Sequence, residues 1–232
     1  MKILELFSGT ESFSKAARDR GHETFTIDNN PQFNPDLCKN ILDVTPEDIP
    51  FRPDIIWASP PCQKFSVASV YRHWENGKPK YNGTYESLLI VAKTISLILA
   101  LKPKFWIIEN PRGMLRKQPM MLSLKRDTVT YCQYGLEYQK ATDLWNNIDS
   151  WIPRPMCSPK SPCHVRSPRG SQKGIQGVGK NSTRANLIHP DWNYSVSRAA
   201  TKRAIVPKEL CLEIIKVCED KMNENPTLKF KV

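Results

Sequence analysis

The chain has 232 residues, a net charge of +11 and seven cysteines. This length allows one α/β domain with a modest appendage. Neither a long apolar run nor a charged-then-apolar leader stands out, so we expect a cytoplasmic protein with no membrane partner. An odd number of cysteines without a leader disfavours a disulfide framework, which leaves reduced thiols available for catalysis or metal binding.

The positive charge is distributed unevenly along the chain. Residues 1–150 hold 19 Lys and Arg against 17 Asp and Glu, whereas residues 151–232 hold 15 against 6. Seven basic residues and no acidic one lie between Asp149 and Asp191: Arg154, Lys160, Arg166, Arg169, Lys173, Lys180 and Arg184. The asymmetry favours a nucleic-acid partner, DNA or RNA, although a solvated basic surface has the same composition.

Predicted strands and helices alternate along the chain. The predicted strands are Lys2–Phe7, Thr24–Ile27, Asp54–Ala58, Phe105–Ile108, Asp127–Tyr134 and Thr142–Trp145. The predicted helices are Glu11–Arg20, Tyr85–Leu101 and Pro207–Met222. This order predicts an α/β fold with a mostly parallel sheet and helices on both faces.

The composition changes after Trp151. Residues 152–190 contain six Pro and four Gly with few large apolar side chains. We therefore predict a small, loop-rich basic insert over residues 151–195. It divides a main domain, 1–150, from a segment, 196–232, whose helix returns to that domain.

Polar residues follow three of the predicted strands, where ligand sites gather in open α/β sheets. A tight turn at Gly9 opens the first helix, and Asp28 after the second strand can accept hydrogen bonds from the two hydroxyls of a ribose. The stretch Ser59-Pro60-Pro61-Cys62-Gln63 follows the third strand, and Glu109-Asn110-Pro111 follows the fourth. A glycine turn and a carboxylate are common by themselves, so this pair alone does not define a cofactor site.

The pattern leaves three roles open for Cys62: nucleophile, metal ligand or core filler. Two preceding prolines stiffen the backbone that leads to the thiol. Glu109 emerges from an apolar strand, where desolvation favours the protonated form of a carboxyl group and makes it a candidate proton donor. A helix cap or an ion pair is the ordinary alternative for Glu109.

These motifs together resemble those of the DNA cytosine-5 methyltransferases. "ELFSGTESFSKAARDRGHE" resembles the first motif, which binds S-adenosylmethionine, and "TIDNN" resembles the second. "SPPCQKFS" is similar to the fourth motif with its catalytic Pro-Cys, and "IIENP" to the sixth with its catalytic Glu. "RAIVPKELCLEIIK" is similar to the final motif, whose helix packs against the cofactor domain.

The resemblance implies a Rossmann-like class I S-adenosylmethionine-dependent methyltransferase. It implies transfer of a methyl group to C5 of a flipped cytosine in DNA, through a covalent adduct of Cys62 at C6 with help from Glu109. The cofactor residues it implies are Phe7, Gly9, Thr10, Asp28, Asp43 and Pro60. The substrate residues it implies are Gln63, Ser66 and Lys140.

The chain departs from the family pattern at several positions. Glu11 and Ser12 stand where further glycines are usual, and Pro111 replaces the usual Val after Glu-Asn. Alignment on Gly135 places Tyr138, Lys140 and Thr142 at the usual Gln-x-Arg-x-Arg of the eighth motif. The insert is also much smaller than the usual target-recognition domain, so it predicts a short recognition site.

The small size and "YCQYGLEYQKATDLWNN" are most similar to phage- and prophage-encoded members. We therefore expect a monomer in a bacterial cell, in the setting of DNA methylation and restriction-modification. An RNA cytosine-5 methyltransferase and a nucleic-acid-binding homologue without turnover are the competing interpretations. Amino-group methyltransferases fit less well because they need no thiol, and a nicotinamide dehydrogenase would leave Cys62 and Glu109 without a role.

The insert contains a candidate zinc site. "MCSPKSPCH" places Cys157, Cys163 and His164 close together, and Cys132 on a preceding strand offers a fourth ligand. A structural zinc ion bound by Cys and His would allow a loop with few apolar residues to fold. The spacing is not the compact Cys-x-x-Cys type, and ordinary, partly buried thiols are the alternative.

Overall fold

The computed structural model describes residues 1–67, 69–158, 161–164 and 204–224. Within them the strands are β1 (Lys2–Leu6), β2 (Glu23–Asp28), β3 (Leu37–Cys38), β4 (Ile55–Ala58), β5 (Trp74–Glu75), β6 (Lys78–Pro79), β7 (Phe105–Pro111), β8 (Arg126–Thr130) and β9 (Ala141–Asn146). The α-helices are α1 (Ser12–Arg18), α2 (Val70–His73), α3 (Asn82–Leu101), α4 (Pro119–Leu122) and α5 (Lys208–Asn223). Most of the predicted basic insert, from residue 165 onward, lies outside the described residues, and the predicted domain division remains a prediction.

Seven strands form one sheet in the order β3-β2-β1-β4-β7-β9-β8. The pairs from β3 to β7 are parallel, whereas β9 runs antiparallel to both β7 and β8. The prediction of a mostly parallel sheet is therefore confirmed. A separate hairpin, β5–β6, lies between β4 and α3 in the chain.

Helices cover both faces of the sheet. Successive residues of a strand point to opposite sides, so each inner strand contributes side chains to a core on either face. On one face, Ile3 and Trp57 belong to a buried core that includes residues of α1 and α5. On the other face, Leu4 and Ile56 pack in a second core with residues of α3. The short β4, buried along its whole length, separates the two cores.

The helix α5 returns to the main domain, as the final motif predicts. Its inner face contributes five buried side chains, Leu210, Cys211, Ile214, Ile215 and Cys218. Glu219 binds both Arg20 and His22, which follow α1. At the other end of α5, Lys208 Nζ lies 2.6 Å from Asp19 Oδ2. The helix is therefore attached to the α1 face by apolar packing and by ion pairs at both ends.

Several predicted element boundaries were wrong, and the backbone accounts for three of them. Helix α1 begins at Ser12 because Glu11 adopts a left-handed conformation with φ of 54°. Strand β7 continues through Pro111, since the antiparallel partner β9 extends the ladder to that residue. Strand β8 ends at Thr130, and the following residues, Tyr131–Tyr134, form one 3₁₀ turn that Gly135 closes with φ of 89°.

The expectation that the chain has no long apolar run was wrong for α3. An 18-residue window in this helix is apolar enough to cross a membrane by length and composition alone. Helices in protein cores pass the same test, and α3 packs Val91, Leu97 and Ile98 against the sheet. The other side of α3 exposes Tyr85, Leu89 and Leu99.

A buried carboxylate, Glu5 in β1, holds the start of α1. Glu5 is 3% exposed, and its two oxygens accept hydrogen bonds from the backbone N–H groups of Phe13 and Ser14, at 3.3 and 2.7 Å. These are two of the amides that a helix leaves unsatisfied at its first turn. Burial nevertheless raises the pKa of Glu5 to about 7.

The raised pKa of Glu5 predicts a loss of stability as the pH rises from acidic to neutral. Between about pH 4.5 and 7 the folded protein holds a proton on Glu5 that the unfolded chain has released, so the free energy of unfolding falls as pH rises through this range. Between pH 6 and 8 we expect the wild type to lose about 1 kcal/mol more than Glu5→Gln. Urea unfolding at both pH values measures the difference.

A matched control is Glu86→Gln, which changes an exposed carboxylate on α3. It should follow the wild-type pH dependence. Identical pH dependence in the wild type and Glu5→Gln would contradict the assignment.

Candidate active site

The turn after β1 forms a backbone cradle at the carboxyl edge of the sheet. Phe7 and Gly9 have φ of 59° and 46°, both in the left-handed region. Asp28, at the end of β2, accepts hydrogen bonds from the backbone N–H groups of Gly9 at 2.9 Å and Asn30 at 2.8 Å. The carboxylate therefore fixes the shape of the turn, and each oxygen retains lone-pair capacity for a further donor.

The cradle suits a nucleoside without phosphates. In dinucleotide-binding folds the first amides of the helix bind pyrophosphate. Here the side chain of Glu5 occupies the amides of Phe13 and Ser14, so these donors are already used within the protein. Ser8 Oγ is buried in the same turn without a hydrogen-bond partner among the described residues, as expected of a polar atom that a ligand would satisfy.

The other predicted cofactor residues occupy two environments. Pro60 is buried beside the cradle strands, and Thr10 Oγ1 lies 3.1 Å from Ser12 Oγ at the start of α1. Asp43 is exposed at the end of the turn Ile41–Asp43. No hydrogen bond joins Asp43 to the other predicted cofactor residues, all of which the structure describes.

We call the segment that follows β4, residues 59–67, the Cys62 loop. Its own hydrogen bonds and the buried side chain of Phe65 fix its conformation. The carbonyl oxygen of Cys62 accepts hydrogen bonds from the N–H groups of Phe65 and Ser66, both at 3.0 Å. Phe65 is fully buried, with its ring centroid 6.0 Å from that of Trp74. Trp74 Nε1 donates to the Lys64 carbonyl at 2.6 Å. This packing leaves Cys62 partly exposed and Gln63 exposed.

Hydrogen bonds join the Cys62 loop to the chain around Glu109. Asn110, fully buried in β7, donates through Nδ2 to the Pro60 carbonyl at 2.9 Å. The N–H of Met114 donates to the Phe65 carbonyl at 2.7 Å, and Ser66 forms a β-bridge with Gly113. The structure thus brings the Cys62 loop and the Glu109 strand together, as the motifs predict.

Two side chains hold the carboxylate of Glu109, which is 5% exposed. The hydroxyl of Tyr131 donates to Glu109 Oε1 at 2.8 Å, and Lys140 Nζ lies 3.5 Å from the same oxygen. Lys140 also lies over the Tyr131 ring, 4.6 Å from its centroid. Burial and the neighbouring Glu109 charge raise the pKa of Tyr131 well above its usual range, so its hydroxyl remains a donor.

Lys140 is the one basic residue left at the altered eighth motif, and the structure places it against Glu109. Tyr138 and Thr142, the other two positions of the motif, are buried. Tyr131 was missed by sequence reasoning because a tyrosine after a strand carries no motif. Its partner Glu109 is 22 positions away in the sequence.

The seven cysteines differ in environment, and none forms a disulfide. Cys211 and Cys218 are fully buried in α5, and burial raises the pKa of both thiols, to about 12 for Cys218. Such thiols remain neutral and unreactive. Cys38 is exposed on β3, and three others lie in the cluster described next. Cys62 is the cysteine in the loop that is hydrogen-bonded to the chain around Glu109.

The predicted zinc ligands form one cluster. The candidate atoms of Cys132, Cys157, Cys163 and His164 all lie within 4.8 Å of one another. Cys132 Sγ lies 3.2 Å from Cys157 Sγ and 3.6 Å from Cys163 Sγ. His164 Nδ1 lies 3.8 and 3.5 Å from the sulfurs of Cys157 and Cys163. A tetrahedral zinc site requires separations of about 3.8 Å between sulfurs and about 3.5 Å between sulfur and nitrogen, close to these values.

One predicted nucleic-acid contact is used within the protein. Arg154 lies 2.7 Å from Glu209 and 3.0 Å from Glu213, both on α5. Its guanidinium also lies over the Tyr134 ring and donates to the Gln133 carbonyl. These ion pairs show that Arg154 attaches the start of the basic insert to α5. The other six basic residues of that stretch lie outside the described residues.

The parallel sheet, the phosphate-free cradle and the adjoining Cys62 loop define a Rossmann-like methyltransferase site. The family model described as "C-5 cytosine-specific DNA methylase" matches residues 1–139. The chain belongs to this C-5 cytosine-specific DNA methylase family, a family of enzymes whose cofactor is S-adenosylmethionine.

Two relatives and one solved structure illustrate the similarity. A Frog virus 3 protein named "Probable DNA (cytosine-5)-methyltransferase" is 32% identical over 170 residues, covering 70% of this chain and 78% of that protein. The "Type II methyltransferase M.AplI" of Arthrospira platensis is 28% identical over 165 residues, covering 66% of this chain and 42% of that protein. The Entamoeba histolytica methyltransferase EhMeth has the same fold, with a TM-score of 0.57 at 11% identity over 97% of this chain and 99% of that one.

The contact at Gly113 predicts a sensitive position. A Cβ at Gly113 would lie 2.0 Å from the Phe65 carbonyl oxygen, so Gly113→Ala must push the Cys62 loop away from β7. We expect a stability loss of about 1–3 kcal/mol and a fall in methyl transfer of about 100-fold. Urea unfolding and a radiolabelled methyl-transfer assay measure the two effects.

The matched control is Gly83→Ala in α3. There the nearest atoms to a new Cβ belong to the Tyr81 side chain, at 3.4 Å or beyond. This variant should keep its activity and gain a few tenths of a kcal/mol. Wild-type activity in Gly113→Ala would show that the loop contact is not needed.

Proposed function

We propose that this protein transfers a methyl group from S-adenosylmethionine to C5 of cytosine in DNA. The observation that carries the proposal is the attachment of the Cys62 loop to the strand of Glu109, through Asn110 and Met114. This contact fixes the backbone that bears a partly exposed thiol relative to a buried carboxylate. Methyl transfer through a covalent adduct uses both groups, which is why the arrangement supports this proposal.

Cys62 acts as the nucleophile in the proposed reaction. After losing its proton, the sulfur adds to C6 of the cytosine, and the electrons of the C5–C6 double bond make C5 nucleophilic. C5 then attacks the electrophilic methyl group that bound S-adenosylmethionine would supply, and S-adenosylhomocysteine leaves with the electrons of the broken S–CH3 bond. Removal of the C5 proton by a base then restores the double bond and breaks the bond between Cys62 and C6.

Glu109 assists from the other side of the base. In its protonated form it donates to N3, where charge develops when C6 is attacked. Tyr131 and Lys140 both hold Oε1, so we assign Oε2 to the base. Lys140 takes the place of the family's arginines. It fixes the position of the Glu109 carboxylate with one positive charge, where the motif usually has two.

DNA is the favoured substrate, and the target base must be flipped out of the duplex. The family description and the name of the Frog virus 3 relative support DNA. Exposed Gln63, Tyr71 and Arg72 lie in or just after the Cys62 loop, where a flipped nucleotide and its phosphates would be met. A modification role of the restriction-modification type is consistent with the name of the cyanobacterial relative.

Trapping with 5-fluorocytosine tests the proposal, because fluorine at C5 blocks the final elimination. We expect the protein with S-adenosylmethionine to form a covalent complex with 5-fluorocytosine DNA, and Cys62→Ala to form none. Denaturing electrophoresis of labelled duplexes detects the complex. RNA of the same sequence is run in parallel, and a complex with RNA alone would move the assignment to RNA.

Cys38→Ala is the matched control, since Cys38 is an exposed thiol away from the Cys62 loop. It should trap DNA as the wild type does. Absence of any complex with either nucleic acid would favour a binding protein without turnover. A complex formed by Cys62→Ala would remove the nucleophile assignment.

We also propose that Cys132, Cys157, Cys163 and His164 bind a structural zinc ion. The separations of the four ligand atoms support a tetrahedral site with three sulfurs and one nitrogen. Gln139 and Gln133 donate through Nε2 to the sulfurs of Cys157 and Cys163, both at 3.1 Å. Such outer hydrogen bonds are typical of metal ligands and stabilise thiolates.

Metal analysis tests the zinc site. Protein purified under reducing conditions should contain one zinc ion per chain by mass spectrometry, and Cys157→Ser should contain much less. Substitution with Co²⁺ should give the absorption of a tetrahedral thiolate complex. Cys38→Ser, which changes a thiol outside the cluster, should keep the full zinc content. A zinc content well below one ion per chain in the wild type would contradict this proposal.

A further inference from the structure

The Cys132 cluster and the carboxylate of Glu109 are linked by a single turn of backbone. Cys132 directly follows Tyr131, whose hydroxyl donates to Glu109 Oε1 at 2.8 Å. Both residues belong to the four-residue 3₁₀ turn Tyr131–Tyr134. A turn this short has little freedom to move one side chain without the next. A metal bound at Cys132 would therefore fix the backbone that carries the Tyr131 hydroxyl.

Residues 139 and 140 also link the Cys132 cluster to the carboxylate of Glu109. Gln139 donates to the sulfur of Cys157, and the next residue, Lys140, places Nζ 3.5 Å from Glu109 Oε1. The Lys140 carbonyl accepts a hydrogen bond from the N–H of Tyr131 at 3.1 Å. Tyr131 is thus next to a residue of the cluster, and Lys140 is next to a residue that donates to one. The backbones of Tyr131 and Lys140 are hydrogen-bonded to each other.

The ligand Cys157 is also tied to the sheet. Its N–H donates to Thr130 Oγ1 at 3.0 Å, at the last residue of β8. Zinc bonds would therefore connect the start of the basic insert to the end of β8 and to the turn that follows. None of these contacts reaches the cradle on β1 and β2, so the cluster and the cofactor site are separate parts of the fold.

Building on the zinc site proposed above, we propose that the metal cluster positions Glu109 for catalysis through Tyr131 and Lys140. Tyr131 is then a positioning residue that reaches the substrate only through Glu109. Loss of the metal frees the 131–134 turn and leaves the Glu109 carboxylate without its two fixed partners. The sheet, Glu5 and the cradle remain folded.

Carboxyl labelling followed by mass spectrometry tests the coupling without substrate or cofactor. The full chain is labelled with a carbodiimide and an amine, as purified and after zinc removal by a chelator under reducing conditions. Glu109 is the reporter, and Glu5 is the internal reference because it is equally buried but held by α1 amides. We expect removal of zinc to raise labelling of Glu109 by about tenfold and to leave Glu5 unchanged, as in a local opening.

Each other outcome overturns the proposal. Protection of Glu109 in the metal-free protein would show that the cluster does not hold it. Equal labelling of Glu109 and Glu5 would show that the metal maintains the whole domain instead of one residue. A chain that neither contains nor takes up zinc would remove the metal altogether. Because no methyl transfer is involved, the result is independent of whether the proposed activity is found.

A pair of tyrosines in the same turn separates positioning from simple packing. Tyr131→Phe removes the donor to Glu109, whereas Tyr134→Phe removes a hydroxyl that contacts Arg154 and Glu213. With zinc bound, we expect Tyr131→Phe to raise Glu109 labelling and to lower kcat about tenfold with little change in KM. Tyr134→Phe should change neither, and equal effects of the two variants would exclude a positioning role for Tyr131.

Discussion

The active site depends on the contact between the Cys62 loop and strand β7. Asn110 and Pro60 are 50 positions apart, yet the buried amide of one binds the carbonyl of the other. Because Asn110 is fully buried, loss of this bond would leave a polar group without a partner in the core. Gly113 allows the second approach, since any side chain there would meet the backbone of Phe65. The loop that bears Cys62 and the strand that bears Glu109 are therefore parts of one continuous packed unit.

Three carboxylates set the remaining geometry, two of them held by backbone amides and one by side-chain donors. Glu5 faces the first amides of α1, and Asp28 faces amides of the turns after β1 and β2. Glu109 faces a phenol and an ammonium group instead. Amides on a folded backbone are fixed, so the cofactor cradle is formed in advance. Side-chain donors depend on what holds them, which makes the neighbourhood of Glu109 the more adjustable half of the site.

Most of the sheet and the residues of the candidate site could be predicted from the sequence. The buried side chains that hold the site in place, such as Glu5 and Tyr131, could not. The strands before Asp28, Cys62 and Glu109 follow from apolar runs that end in polar residues, and the motifs identify those residues. Glu5 was not predicted as a structural residue, because a charged residue inside a strand is typical of an exposed position. Its burial follows only from the position of helix α1. Tyr131 was misassigned to a strand, since its turn is fixed by tertiary contacts and by Gly135.

The sequence by itself determined the family and the alternation of strands and helices, and it identified the proposed nucleophile and four candidate zinc ligands, because these are recorded in local spacing and residue type. Only the tertiary structure decided which donors hold Glu109, that Arg154 is paired with Glu209 and Glu213, and that Cys132 approaches the other three candidate ligands, Cys157, Cys163 and His164. Each of these is a contact between segments distant in the chain. Such contacts depend on which distant segments the fold brings together and buries. The residues next to each partner in the sequence do not encode this.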